Sequence, residues 1–172
     1  MVVAMLAILA SVAIPSYQQI MSKKAVERAT LQLRDHMELA RVYAQTHQTQ
    51  VVVCPVAENQ LNQDAHEPAC MGLVTNWPAW VVKTQDGQVL VSSLYLPQGV
   101  TIDSGGRDKF VFNERGGANG DNGTVNIRGL NHSAQTITIA SDGRIQLDAT
   151  AARSGVTTTN SSSSAAASHP LN

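Results

Sequence analysis

Hydrophobic residues fall along the chain in three successive patterns. From Met1 to Ile14 the sequence reads MVVAMLAILASVAI, with no charge, and Pro15 follows. From Ser16 to about Gln48 there is neither Gly nor Pro, and Val26, Ala29, Leu33, Met37, Ala40 and Ala44 recur at spacings of 3, 4, 4, 3 and 4. That spacing draws one face of a helix. Glu27, Arg28, Arg34, Asp35, Glu38 and Arg41 mostly fall on the other sides. From Val51 onward apolar residues come in short runs or alternate with polar ones, the period of strands.

Met1 to about Gln48 therefore predict a helix roughly 70 Å long, kinked at Pro15. Its front is apolar all round and its rear is amphipathic. The apolar run of Met1 to Ile14 spans about 21 Å, against a hydrocarbon core about 30 Å thick. A run of this length reads as a buried helix, a signal-peptide core or a membrane helix cut short. Ser11-Val12-Ala13 fits a small-x-small cleavage pattern, but no basic residue precedes the run, and Lys23 and Lys24 come after it. Those two lysines alone would place the N-terminus outside the membrane. Both objections vanish if further residues with a basic leader precede Met1.

The remainder predicts a small β domain. Val51-Val52-Val53 opens a strand running into Cys54, and Pro55 to Ala69 reads as a polar loop. Trp77 to Val82 leads into the next strand, and Asp86-Gly87 turns it back into Val89-Leu90-Val91, with Leu94 to Leu96 as an extension. Gly99 to Ile102 and Lys109 to Phe112 are further strand candidates, and Gly116 to Gly123 reads as a plain hairpin loop. Thr124 to Ile127 and Gln135 to Ile139 alternate cleanly, and Asp142-Gly143 turns into Arg144 to Leu147. Seven or so strands with no helix between them imply antiparallel sheet. The expected class is α+β: a long helix packed on a small antiparallel head. The expected divisions are an anchor at 1–17, an amphipathic helix at 18–50, a head at 51–147 and a low-complexity tail at 148–172. The run from Thr157 to Ala167 is Thr, Ser, Asn and Ala, too poor in apolar residues to offset its ordering entropy, so a disordered passive tail is expected.

Charge adds little to this picture. Net charge is -1, from 12 basic and 13 acidic residues, so no global field draws the chain to nucleic acid. Cys54 and Cys70 are the two cysteines. They read either as two buried thiols or as one bridge closing a loop of about 15 residues, worth roughly 3 kcal/mol. The polar segment between them favours the bridge, which would imply an oxidising compartment.

No catalytic or metal constellation is legible. His36, His47, His66, His132 and His169 show no metal spacing. His66 lies near Asp64, Glu67 and Cys70, but oxidation of Cys70 would remove the thiolate. The glycine loop opens no helix, so a dinucleotide fingerprint fails. Asn119, Asp121 and Asn122 lack the glutamate that a calcium loop needs at its last position. No cofactor and no small-molecule substrate are expected.

The run Ala7 to Tyr17, AILASVAIPSY, resembles the N-terminal helix of type IV pilins and type II secretion pseudopilins. Aligned on Pro15-Ser16-Tyr17, the sequence starts about seven residues inside that helix. The resemblance thus implies upstream residues holding the prepilin peptidase site, a methylated N-terminal residue and a glutamate. About seven more apolar residues would bring the run to about 31 Å, enough to span a bilayer. Cys54, Cys70, Trp77 with Trp80, Phe110 with Phe112, the Gly116–Gly123 loop and Ser141 to Ile145 resemble the GspH/FimT family of minor pilins and pseudopilins.

The resemblance implies a single-pass inner-membrane protein with a periplasmic head, incorporated into a pilus or pseudopilus. Its partners would be other pilin or pseudopilin subunits. Met5, Leu6, Ile8, Leu9, Ala10, Ile14, Pro15 and Tyr17 would carry membrane anchoring and assembly. Some FimT-type pilins bind DNA through a Gly-Arg-x-Arg pattern. Here Gly143-Arg144-Ile145-Gln146 lacks the second arginine, and the six basic residues from Arg107 to Arg153 meet six acidic ones from Asp103 to Asp148. Arg144 and Arg153 are the candidate DNA contacts. The other alternative, from a different class, is a secreted enzyme behind a cleaved signal peptide.

Overall fold

The computed structural model describes residues 2–61, 68–93, 96–118, 120–130 and 133–148, without the side chains of residues 2–19. Helix α1 (Val2–His47) is a single element of 46 residues that continues through Pro15. It stops three residues short of the expected 50. Gln48 adopts a left-handed φ of 51°, and the Thr49 N–H bonds back to the Ala44 carbonyl at 3.2 Å. This local reversal satisfies helix-end carbonyls without a glycine.

Eight strands follow among the described residues: β1 (Val51–Val56), β2 (Ala79–Thr84), β3 (Val89–Ser92), β4 (Thr101–Asp103), β5 (Phe110–Phe112), β6 (Gly123–Arg128), β7 (Ala134–Ile139) and β8 (Ile145–Asp148). They form two four-stranded sheets, in the orders β3-β2-β1-β5 and β4-β6-β7-β8. All the strand pairs are antiparallel. The Asp86-Gly87 hairpin forms, with Val82 opposite Val91. Gly87 supplies the positive φ of 96° that the turn requires.

Four expectations need correction. The first strand continues through Pro55 and Val56, opposite Trp80 and Ala79, so the loop starts later than Pro55. The third strand ends at Ser92, and the next residue bonds sideways: the Ser93 N–H donates to the Trp80 carbonyl, while the Trp80 N–H donates to Ser93 Oγ. Leu96 lies outside any strand, and Leu94 and Tyr95 lie outside the described residues. The glycine segment is not a hairpin loop, because it joins β5 in one sheet to β6 in the other. Asp148, assigned to the tail, is the last residue of β8, and Thr138 Oγ1 donates to its carboxylate at 3.1 Å. The tail from residue 149 lies outside the described residues.

One core joins the three layers. Val26, Ala29, Leu33, Met37, Ala40 and Ala44 of α1 are all buried, as their spacing predicts. They meet Val51, Val53, Trp80, Val82, Phe110 and Phe112 from the first sheet and Ile102, Val125, Ile127, Ile137, Ile139 and Ile145 from the second. Three alanines let the helix approach closely, and large residues opposite fill the space. Thr30 shares the buried face although it is polar: its hydroxyl donates to the Val26 carbonyl at 2.7 Å, which satisfies it inside the helix.

The sheets differ on their outer faces. On the second sheet Val125 and Ile127 point inward and are buried, while Thr124 is exposed and Asn126 half-buried, the alternation of a one-sided antiparallel sheet. The first sheet is covered on both faces. Its outer side carries a second cluster of Cys54, Val56, Ala79 and Val81, with Val52, Leu61 and Cys70 against it.

Candidate assembly helix and the head that carries it

The rear of α1 is locked to the head at several levels. Lowest is Ser22, whose hydroxyl donates to the Leu130 carbonyl and lies beside Ser133 Oγ at 3.4 Å. Among the described residues, the bonds from α1 to the head begin there. The stretch from Val2 to Met21 precedes that point, and its length is about 30 Å at 1.5 Å per residue. Near the top, the Gln45 side-chain amide donates to the Arg115 carbonyl at 3.0 Å.

Between these lies a polar contact. The Trp80 indole N–H donates to His36 Nδ1 at 3.1 Å, and the two rings meet edge to face at 6.0 Å. An indole nitrogen only donates, so His36 accepts through Nδ1 and carries its proton on Nε2. Burial lowers the His36 pKa below its ordinary value, and neighbouring Asp35 offsets part of that effect. Sequence reasoning missed this pair. The only signal available was that His36 sits beside Met37 and three residues after Leu33, at the edge of the apolar face.

Cys54 and Cys70 are joined as a disulfide, with Cα atoms 5.5 Å apart. The bridge ties the segment after β1 across the outer face of the first sheet. Beside it, the Met71 N–H donates to the Pro55 carbonyl at 2.8 Å, and Lys83 Nζ donates to the Pro68 carbonyl at 3.2 Å.

The glycine loop and the terminal turn, separate in the sequence, pack on each other. The Ala118 N–H donates to the Ser141 carbonyl at 3.0 Å. Gly143 has φ +78°, and a Cβ there would lie 1.7 Å from the Gly116 carbonyl oxygen. Only glycine fits this position, for steric as well as conformational reasons. Arg144, the next residue, pairs with Asp142 through its Nε at 3.3 Å. That carboxylate offsets the charge a phosphate would need. Arg153, the other candidate DNA contact, lies outside the described residues.

Met5, Leu6, Ile8, Leu9, Ala10, Ile14, Pro15 and Tyr17, expected from the sequence to carry anchoring and assembly, all belong to α1. Among the described residues, no helix is long and apolar enough to cross a membrane, and no three His, Cys, Asp or Glu side chains gather where they could hold a metal. His47 stacks on Tyr43 at 3.8 Å on the surface. His66, His132 and His169 lie outside the described residues, as does Asn119 of the glycine loop.

A single long helix whose rear forms one wall of a small antiparallel head defines a pilin-like protein. The chain belongs to the GspH family: the model for Type II transport protein GspH matches residues 29–143, from the first buried turns of the helix to Gly143. Similar solved structures include the type IV minor pilin FimU of Pseudomonas aeruginosa strain PAO1 in two crystal forms. One has a TM-score of 0.55 at 14% identity, covering 76% of this chain and 90% of that one. The other has a TM-score of 0.52 at 14% identity, covering 73% and 90%. At this identity the likeness concerns the fold. Comparison with curated proteins finds no match.

Proposed function

We propose that the protein is a minor pilin or pseudopilin that works as a structural subunit, contributing its helix to a filament and its head to the filament surface. The observation that carries this reading is the unequal use of α1. One face of its rear is consumed by the head, while the stretch from Val2 to Met21 precedes Ser22, where the bonds to the head begin among the described residues. An apolar helix of this kind suits two environments, lipid before assembly and neighbouring helices after it. The subunit would therefore wait in the inner membrane, head in the periplasm, and leave lipid when other pilin-type subunits take it up. The Cys54–Cys70 disulfide supports an oxidising compartment for the head. DNA binding through Arg144 is not part of the proposal, because Gln146 stands where the DNA-binding pattern has its second arginine and Asp142 lies beside the Arg144 Nε.

The test is Ala10→Asp combined with Ile14→Asp in the full chain. Each aspartate costs about 2.5–3.5 kcal/mol at the centre of a membrane helix. The variant should fall out of both the membrane fraction and sheared filaments while the head stays folded and oxidised. Retention in both fractions would refute the reading.

A further inference from the structure

The end of the head where α1 enters carries a loop that is both firmly held and apolar. It joins β6 to β7. Gly129 presses against the helix: a Cβ there would lie 2.5 Å from Val26 Cγ2 and 2.7 Å from Ser133 Oγ. The Gly129 N–H donates to the Ser133 carbonyl at 2.8 Å, and the Ser22 hydroxyl donates to the Leu130 carbonyl. The Leu130 side chain lies so near Gly99 that a Cβ added there would be 2.6 Å from it. Leu130 is nonetheless 62% exposed. Ile20 and Met21, just before Ser22, are 59% and 49% exposed, so the same end carries an apolar patch. The patch continues the uncharged stretch of α1 from Val2 to Ser22. Whatever surrounds that stretch therefore meets Leu130 next.

Charge is ordered from this end on two separate elements. On α1 the first charged side chains are Lys23 and Lys24. The first acid, Glu27, comes about a turn later, pairs with Lys24 at 3.0 Å and is followed by Arg28. On the second sheet the register sets Thr101, Arg128 and Ala134 in the rung next to the loop. Asp103 and Asp148 share the rung of Asn126 and Thr136, two positions further away, about 7 Å. Apolar, then basic, then acidic is the order that suits a bilayer surface: acyl boundary, anionic headgroups, water.

We infer that this end of the head docks on an anionic lipid surface, with Leu130 in the headgroup layer and Lys23 and Arg128 against lipid phosphates. The inference rests on the filament reading, in which the front of α1 waits in a bilayer. Ser22 follows Ile14 by eight residues, about 12 Å along the axis, whereas a headgroup layer is about 5–8 Å deep. An upright helix would hold the loop above that layer. A tilt of about 30°, inside the range of roughly 0–40° for membrane helices, lowers a loop about 10 Å off the axis by about 5 Å. Leu130 then comes to about 5 Å from the hydrocarbon edge, within the headgroups. The stored subunit thus leans on its second sheet.

The experiment uses the full chain reconstituted into vesicles that contain phosphatidylglycerol or are pure phosphatidylcholine. Cys54 and Cys70 are bonded to each other, so Leu130→Cys supplies a single thiol for a polarity-sensitive dye. Arg115→Cys, at the opposite end of the head, is the reference. In phosphatidylglycerol vesicles, lipids spin-labelled near the headgroup should quench the dye at 130 several-fold more than at 115. Lys23→Glu with Arg128→Glu, high salt, or pure phosphatidylcholine should each remove most of that difference. A chain that floats with the vesicles but shows equal quenching at both sites overturns the inference and leaves membrane anchoring standing. Strong quenching at 130 that persists in pure phosphatidylcholine and after charge reversal overturns the assignment of an anionic partner. A chain that does not float with either vesicle refutes the anchoring itself.

Discussion

The two faces of the rear of α1 carry similar apolar residues and end in opposite environments. Leu33 and Met37 are sealed against the two sheets, whereas Leu31 and Leu39, each two positions away, are open to solvent. Hydrophobicity alone does not distinguish them; position relative to the head does. The inward face is made of small residues and two large ones, shaped to fit a packed surface. The outward face alternates aliphatic side chains with charges, as solvated helix faces commonly do. The inward face accounts for folding. The outward one contributes almost nothing to folding.

The sharpest way to break this comparison is to truncate the inward face. Leu33→Ala should destabilise the protein by about 2–5 kcal/mol, because a fully buried leucine leaves a cavity the two sheets cannot close. Chemical unfolding would measure it, and a loss under 1 kcal/mol would mean that the helix is only loosely seated. Next comes the far side of the head. Replacing Cys54 and Cys70 together by Ser should cost about 3 kcal/mol and uncover the outer cluster of Val56, Ala79 and Val81. Binding of a hydrophobic dye should rise with it.

A smaller effect is expected at the contact between helix and sheet. Trp80→Phe removes the donor to His36 and, at a fully buried position, part of the ring volume as well, at a cost of about 2 kcal/mol. The same pair gives stability a pH dependence. Burial holds the pKa of folded His36 below the ordinary imidazole value of about 6.5. As pH falls through that value the unfolded chain takes up the proton first, so stability declines until folded His36 titrates as well. His36→Gln should flatten this slope; an unchanged slope would assign it to another group.

The helix was the most legible part of the molecule. Six apolar residues at helical spacing named its buried face, and among the described residues the structure adds only Thr30, hidden from pattern reading by its hydroxyl. The β2–β3 hairpin was equally clear, because Asp86-Gly87 sits between two valine-rich runs. The division into two sheets was not legible. β1 pairs with β5, far along the chain, and long-range pairing leaves no local mark beyond alternation. For the same reason the glycine segment read as a hairpin although it crosses between sheets. Pro55 read as the start of a loop because proline cannot donate to a ladder, yet it completes β1. Of the candidate site, the Cys54–Cys70 bridge was favoured from the sequence and is formed, and the residues expected to serve assembly lie on α1. The His36–Trp80 bond and the packing of Gly143 on Gly116 became visible only once the head was assembled.

The smallest expected effect on stability carries the most weight. Ala10→Asp combined with Ile14→Asp lies in the front of α1, ahead of the buried face that begins at Val26, where substitutions should change the head's stability by no more than about 0.5 kcal/mol. Its decisive measurement is the amount of the full-length variant in sheared filaments relative to wild type, at equal expression and with the disulfide intact. The account predicts that the variant folds normally and is largely lost from the filaments. A variant that enters filaments at the wild-type level would contradict it.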